Sequence, residues 1–278
     1  MVLLFIFFAF PATGYILLQH KGIQNRLTDY IMTIVSKNLK TDFIVGEVDL
    51  AFPYRLRLKN IYLEDLHHDT LLFARSLTLG VRSINPMKKV IKVNAVNLNE
   101  AYLRLTVDST NLINIQFIIE HLKGGDGPSK QGWTTALNNI RLKKSRFRLR
   151  LYPYKETDHG INFTDIRLYN LNATLHHFHP GKDSTTFSVK SLSCIEASGF
   201  QLNDLNLDFR LSKQYLKFLN LSAKTPFSTL KGDGVQLLFD SWQDFKDGGV
   251  FENVNLVTSL KNAYLNLGDL GFFAPGLY

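Results

Sequence analysis

The sequence predicts a mostly β protein: an N-terminal transmembrane helix and an amphipathic helix, followed by an elongated, curled antiparallel β-sheet that forms a taco-like groove. Three observations lead there. Residues 2–18, VLLFIFFAFPATGYILL, carry no charge; residues 22–40 repeat apolar positions at helical spacing; and from Phe43 the period changes to two. With 45% hydrophobic and 20% charged residues the chain has a globular composition, not a disordered one. Its 21 Phe against 3 Met suit pleated, half-buried surfaces, where aromatic side chains fit well.

Each element follows from its residues. The apolar run approaches the roughly 20 residues that cross a hydrocarbon core, where Pro11 is tolerated. Residues 1–20 are therefore read as a transmembrane anchor. A cleaved signal peptide and a buried helix are the alternatives; the former normally has a positive leader and a small-x-small cleavage site, and neither stands here. Lys21 and Arg26 follow the span and nothing positive precedes it, which alone would leave the body cytoplasmic. A start codon assigned too late, losing a basic leader, would reconcile this with an exported body.

Residues 21–41 form the amphipathic helix. Ile23, Leu27, Tyr30, Ile31, Ile34, Val35 and Leu39 share one side, and Gln24, Arg26, Asp29, Ser36, Lys37 and Lys40 the other. Such a helix either packs on a sheet or lies along a membrane surface. Residues 42–123 are expected as a first β subdomain ending in a short helix over 114–122. The Gly-rich stretch at 124–132 reads as a linker-like loop, and 133–278 as a second β-rich segment, truncated at its C-terminus. Alternation marks the strands, for example at residues 102–107, 147–151, 187–192 and 205–211. Asn85-Pro86, Pro180-Gly181, Gly232-Asp233-Gly234 and Asp247-Gly248-Gly249 are expected turns.

A degenerate unit recurs, in which two apolar residues flank one other residue, usually polar, and Asn or Asp usually leads. It stands at Asn60-Ile61-Tyr62-Leu63, Ala95-Val96-Asn97-Leu98, Asn139-Ile140-Arg141-Leu142 and Asp165-Ile166-Arg167-Leu168. It returns at Asp204-Leu205-Asn206-Leu207, Phe218-Leu219-Asn220-Leu221 and Asn253-Val254-Asn255-Leu256. The spacing is too irregular for a propeller or strict solenoid. It fits a long antiparallel meander whose strands begin at polar turns and keep one face apolar. If nothing covers that face, it is larger than soluble monomers usually leave bare.

The first 120 residues carry a specific order of blocks. Val45-Gly46-Glu47-Val48 precedes Leu56-x-Leu58-x-x-Ile61-Tyr62-Leu63-x-Asp65, then Asp69-Thr70-Leu71-Leu72-x-Ala74-x-x-Leu77-x-Leu79. Leu98-Asn99-x-Ala101-Tyr102-Leu103-x-Leu105 and Asp108-Ser109-Thr110-Asn111, running into Asn114-Ile115-Gln116-Phe117, complete them. These blocks resemble the N-terminal region of the TamB/AsmA-like translocation and assembly module family in its Bacteroidetes-type form. Where that family places Gly before Asp-Thr-Leu-Leu, this chain has His68, which loosens a turn. The resemblance implies a single-pass anchor in the bacterial inner membrane and a periplasmic β-groove. It further implies handling of phospholipid or another acyl-chain lipid, or assembly of outer-membrane proteins. An outer-membrane BamA/TamA-like barrel would then be met through a C-terminal region with no counterpart here.

The chemistry of enzymes is not visible. Phosphate loops, dinucleotide fingerprints, the GxSxG elbow and HExxH are absent, so no catalytic role and no cofactor are expected. His176-His177-Phe178-His179 reads as a polar strand end rather than a metal site, since adjacent His residues of a strand point apart. Glu64-Asp65 reads as a solvated turn. The lone Cys194 excludes a disulfide framework and a cysteine-rich zinc site. A net charge of +8 suggests anionic partners. In the basic stretch 141–150, Arg146, Arg148 and Arg150 share one strand face, opposite Phe147, Leu149 and Leu151. These cations are either a solvated face or a contact for lipid head groups. Nucleic acid is not expected, because no stacking aromatics share their face. Candidate residues for lining an apolar groove are Ile61, Leu63, Val96, Leu98, Ile140, Leu142, Ile166, Leu168, Leu205 and Leu207. The competing class is an anchored β-sandwich or adhesin-like interaction module with a closed core.

Overall fold

The computed structural model describes residues 21–51, 55–85, 90–123, 138–180, 184–240 and 254–273. It is mostly β and divides into two compact units, residues 1–135 and 136–278. The expected anchor at 1–20 and linker at 124–132 lie outside the described residues. Among the described residues, no helix is long and apolar enough to cross a membrane.

The first unit runs α1 (Lys21–Leu39), β1 (Phe43–Ala51), β2 (Arg55–Glu64), β3 (Thr70–Asn85), β4 (Val90–Val107) and α2 (Gln116–Lys123). Its strands form an antiparallel meander in chain order. Val48, Leu58, Leu77 and Leu98 stand directly opposite one another across the four strands. With Val45, Ile61, Ala74 and Ala101 they make a core on one face, and Ile31 and Met32 of α1 pack against it. Ser36 fixes that helix to the sheet: its Oγ accepts from the Phe43 N–H at 3.0 Å. Of the apolar side expected for α1, Ile31 meets the core together with Met32, which was not expected there, whereas Tyr30 of that side is 64% exposed.

The second unit runs β5 (Asn139–Leu151), β6 (Asp165–Pro180), β7 (Ser184–Glu196), β8 (Gln201–Leu202), β9 (Asp204–Ser212), β10 (Tyr215–Lys224), β11 (Thr229–Leu238), β12 (Asn255–Tyr264) and α3 (Leu267–Gly271). It is again a meander, ordered β5-β6-β7-β9-β10-β11-β12, with the two-residue β8 paired to β7. The expected curl is corrected: the sheet is uncurled. Alternation decides which face is apolar but supplies no force that rolls the strands around it.

Two further expectations change. Gly232-Asp233-Gly234 is no turn but the middle of β11. There β12 and β10 approach so closely that a Cβ on Gly232 would stand 2.2 Å from the Ser259 carbonyl oxygen, and one on Gly234 2.0 Å from that of Phe218. Nor do all the recurring units start strands: Asn60 and Asn220 sit inside β2 and β10 with φ of 52°. Asn is the non-glycine residue that takes this left-handed conformation most readily. Glu100, Lys144 and Asn170 do the same inside β4, β5 and β6. After each of these five, the inward position comes three residues on instead of two: Leu58 to Ile61, Leu98 to Ala101, Leu142 to Ser145, Leu168 to Leu171 and Phe218 to Leu221. Each left-handed residue therefore absorbs one step of the alternation, as a β-bulge does.

Candidate functional site: an apolar sheet face and an arginine cluster

The second unit's apolar face is built by register. Leu171, Ala173 and Cys194 are buried, with Leu142, Phe147 and Leu168 packed around them. Val189, Leu207 and Leu221 form a neighbouring buried group, flanked by Leu175, Phe187, Leu205, Phe209, Phe218 and Val235. Phe187 stands opposite Phe209, and Phe209 opposite Phe218. Their ring centroids lie 4.5 Å and 5.6 Å apart, and Phe178 extends the row at 6.1 Å from Phe187. Stacked and edge-on pairs of this kind attract beyond simple area burial. All four phenylalanines are only half-buried. Among the described residues the extensive helix–strand packing is that of α1 on β1, while α3 meets the second unit at its loop end, where Phe272 lies 5.7 Å from Phe200.

The ten candidate lining residues divide between the units. Ile61 and Leu63 are buried in the first, where Leu98 packs on the same core as Ile61 and Val96 is half-buried opposite Leu79. In the second, Leu142, Leu168, Leu205 and Leu207 belong to the two apolar groups. Ile140 stands opposite Leu175 and Ile166 opposite Leu149, both half-buried. The phenylalanine row is what sequence reasoning missed. Phe187 and Phe209 lay in alternating runs, Phe218 in a recurring unit and Phe178 in the His-rich stretch, but only the pairing of β6 with β7, of β7 with β9 and of β9 with β10 brings the rings together.

The arginines do not form three parallel solvated cations. Asp165, at the start of β6, has a side chain with no exposure. Arg148 grips it with two hydrogen bonds, Nε to Oδ1 at 2.7 Å and Nη2 to Oδ2 at 2.8 Å. Arg167 also bonds Oδ2, and Arg150 stands 3.5 Å from it while its guanidinium covers the Tyr154 ring at 4.7 Å. Arg148, foremost, and then Arg167 hold the Asp165 carboxyl well below the usual carboxylate range against the opposing effect of burial. Arg146 is exposed. Three cations around one anion leave a positive excess at the junction of β5 and β6, on the face opposite Phe147.

Other candidates resolve into structure. Asp65 is buried, accepting from the His67 and Asp69 N–H groups through Oδ1 and from Asn114 Nδ2 through Oδ2. It ties the 65–69 turn to the 108–114 loop, so the Asp and Asn residues of the quoted blocks are stitching. His68 stands in that turn with φ of 62°, the conformation for which glycine is suited. A cleft of about 350 Å³ beside it is lined by Asp65, Asp69, Asp108 and Glu120 over Leu112 and Phe117. His177 has φ of 54°, and its carbonyl oxygen lies 2.8 Å from His179 Nδ1. Among the described residues no three His, Cys, Asp or Glu are grouped to hold a metal ion. Burial, and secondarily the Glu196 charge, pushes the Cys194 thiol up to about 11, so it is an unreactive core residue.

No protein-family model matches the chain, and no curated protein matches it.

Proposed function

We propose that this chain is a non-catalytic, inner-membrane-anchored envelope protein of TamB/AsmA-like type. In this reading the second unit shields the acyl chains of a phospholipid, or of a related lipid, on its open apolar face. The observation that carries it is the half-buried phenylalanine row on a sheet face that no described helix covers. An acyl chain laid along the row replaces water over rings already desolvated on one side, at about 0.8 kcal/mol per methylene. Rings repeated from strand to strand offer similar wells, so the chain can shift along the row. The body would lie in the periplasm and pass lipid, or assist assembly, toward an outer-membrane barrel.

The experiment is lipid copurification with the full chain. Phe187→Glu with Phe209→Glu places two carboxylates in the row without touching the buried Val189, Leu207 or Leu221. Bound lipid measured by mass spectrometry should fall several-fold while the circular dichroism spectrum stays β-rich. Wild-type lipid levels in the variant would refute the reading. Absence of lipid from the wild type would favour the closed interaction module.

A further inference from the structure

Antiparallel pairing gathers several loops at one end of the second unit's sheet. Arg150 faces Asp165, Lys224 faces both Asp204 and Thr229, and Thr229 faces Tyr264, so the 152–164 loop, the 225–228 turn and the segment after β12 all emerge together. Contacts confirm the gathering: Phe163 lies 6.5 Å from Phe273, and the Ile161 N–H donates to the Phe272 carbonyl at 2.8 Å. Each of these loops presents an exposed apolar tip. Tyr152 and Phe227 are each 64% exposed and Leu267 78%, with Phe163, Tyr264 and Phe273 exposed beside them. The opposite end offers Lys213 and Gln214 at its β9–β10 turn, with Leu256 and Val257 exposed at the start of β12.

Charge at this end is sorted by depth. Asp165, Glu196 and Asp269 are buried: Asp165 is held by arginines, Glu196 accepts from the Ser198 N–H at 2.7 Å, and Asp269 accepts from Thr225 Oγ1 at 2.6 Å and from Ser228. Lys155 and Lys224 are exposed, and Arg150 and Arg167 keep about a third or more of their side-chain surface. Glu156 and Asp158 are exposed on the same loop and Asp204 is half-buried opposite Lys224, so formal charges at this end nearly cancel and the accessible cations only slightly outnumber the accessible anions. A protein partner would have to supply a separate pocket for every tip. The interfacial zone of a bilayer accepts unconnected aromatic and aliphatic tips, with cations level with the phosphates.

We propose that this loop end docks on the head-group zone of a zwitterionic phospholipid bilayer, with Tyr152, Phe227 and Leu267 inserted and Arg150, Arg167 and Lys224 at the phosphate level. The docking does not depend on lipid binding at the phenylalanine row. Nitroxide labels on full-length Phe227→Cys and Leu267→Cys test it in phosphatidylcholine vesicles, with Lys213→Cys as the control on the far end; buried Cys194 does not compete for label. Labels at 227 and 267 should gain accessibility to oxygen and lose accessibility to a water-soluble nickel complex several-fold, in low and high salt alike, while 213 stays aqueous. If all three labels remain equally aqueous, the proposal fails. Shielding of 227 and 267 without vesicles, rising with protein concentration, would assign the surface to a second copy instead. Shielding that disappears in high salt would overturn insertion.

Discussion

The two units use the same alternation to different ends. In the first, α1 lies on the sheet and Val48, Ile61 and Ala74 have no exposure. In the second, no described helix covers the sheet, and the most buried residues are ringed by half-buried Leu and Phe. The difference teaches that strand periodicity names the apolar face, whereas a covering layer decides whether that face becomes core or surface. One amphipathic helix separates the two outcomes here.

Substitutions can break or sharpen this contrast. The largest effect is expected from Gly234→Ala in the second unit. Its φ of 140° and a Cβ 2.0 Å from the Phe218 carbonyl oxygen leave no room, so β10 and β11 must part. We expect about 4 kcal/mol or more of destabilisation, seen as lost amide protection in β10 and β11; retained protection would show that the strands yield cheaply.

Next comes Ile61→Ala, which empties a helix-covered position. It should cost about 2–5 kcal/mol in denaturant titration. The same change at half-buried Leu205 should cost clearly less; equal losses would erase the distinction between covered and open faces.

Asp165→Asn should cost about 1.5–3 kcal/mol at neutral pH, because charged hydrogen bonds to arginine are weakened. The folded-state pKa of Asp165 is depressed, so its contribution is fully present above the unfolded value near ~4 and is lost as pH falls below that. Wild type and variant should therefore converge on acidification; a gap that persists at low pH would contradict the ion-pair explanation.

The smallest effect runs the other way. His68→Gly should stabilise the first unit by about 1 kcal/mol by relieving a left-handed side chain. A destabilisation would mean that the exposed His68–Glu64 contact at 3.0 Å outweighs the backbone term.

Much of this was legible beforehand. The helical spacing from Ile23 to Leu39 and the alternation from Phe43 onward match α1 and the strands, because both periods come straight from backbone geometry, although Tyr30 of the apolar side is exposed. Less legible were relations across strands. Phe187, Phe209 and Phe218 are separated in sequence and meet only through register. Arg148 and Arg150 looked like a solvated row because Asp165, beyond the whole 152–164 loop, could not be seen to return against them. Gly232 and Gly234 read as a turn because glycine signals both a bend and a close approach. Sheet curvature has no local sequence code of this kind.

The left-handed residues inside strands have a consequence for how this chain can vary. Val45 pairs with Ile61 and Glu47 with Lys59, so Gly46 and Asn60 sit at the same level of neighbouring strands; only Asn60 is left-handed, but on both strands the inward positions here come three apart, Val45 to Val48 and Leu58 to Ile61. Losing Asn60 alone would turn Arg55 and Arg57 inward, or Tyr62 and Glu64, depending on which half kept its footing. Losing one residue at this level from every strand together would leave both halves in frame. Single-residue insertions and deletions in such a sheet are thus correlated along a line running across the strands, a rule that a comparison of related sequences can read even where side-chain identities have drifted.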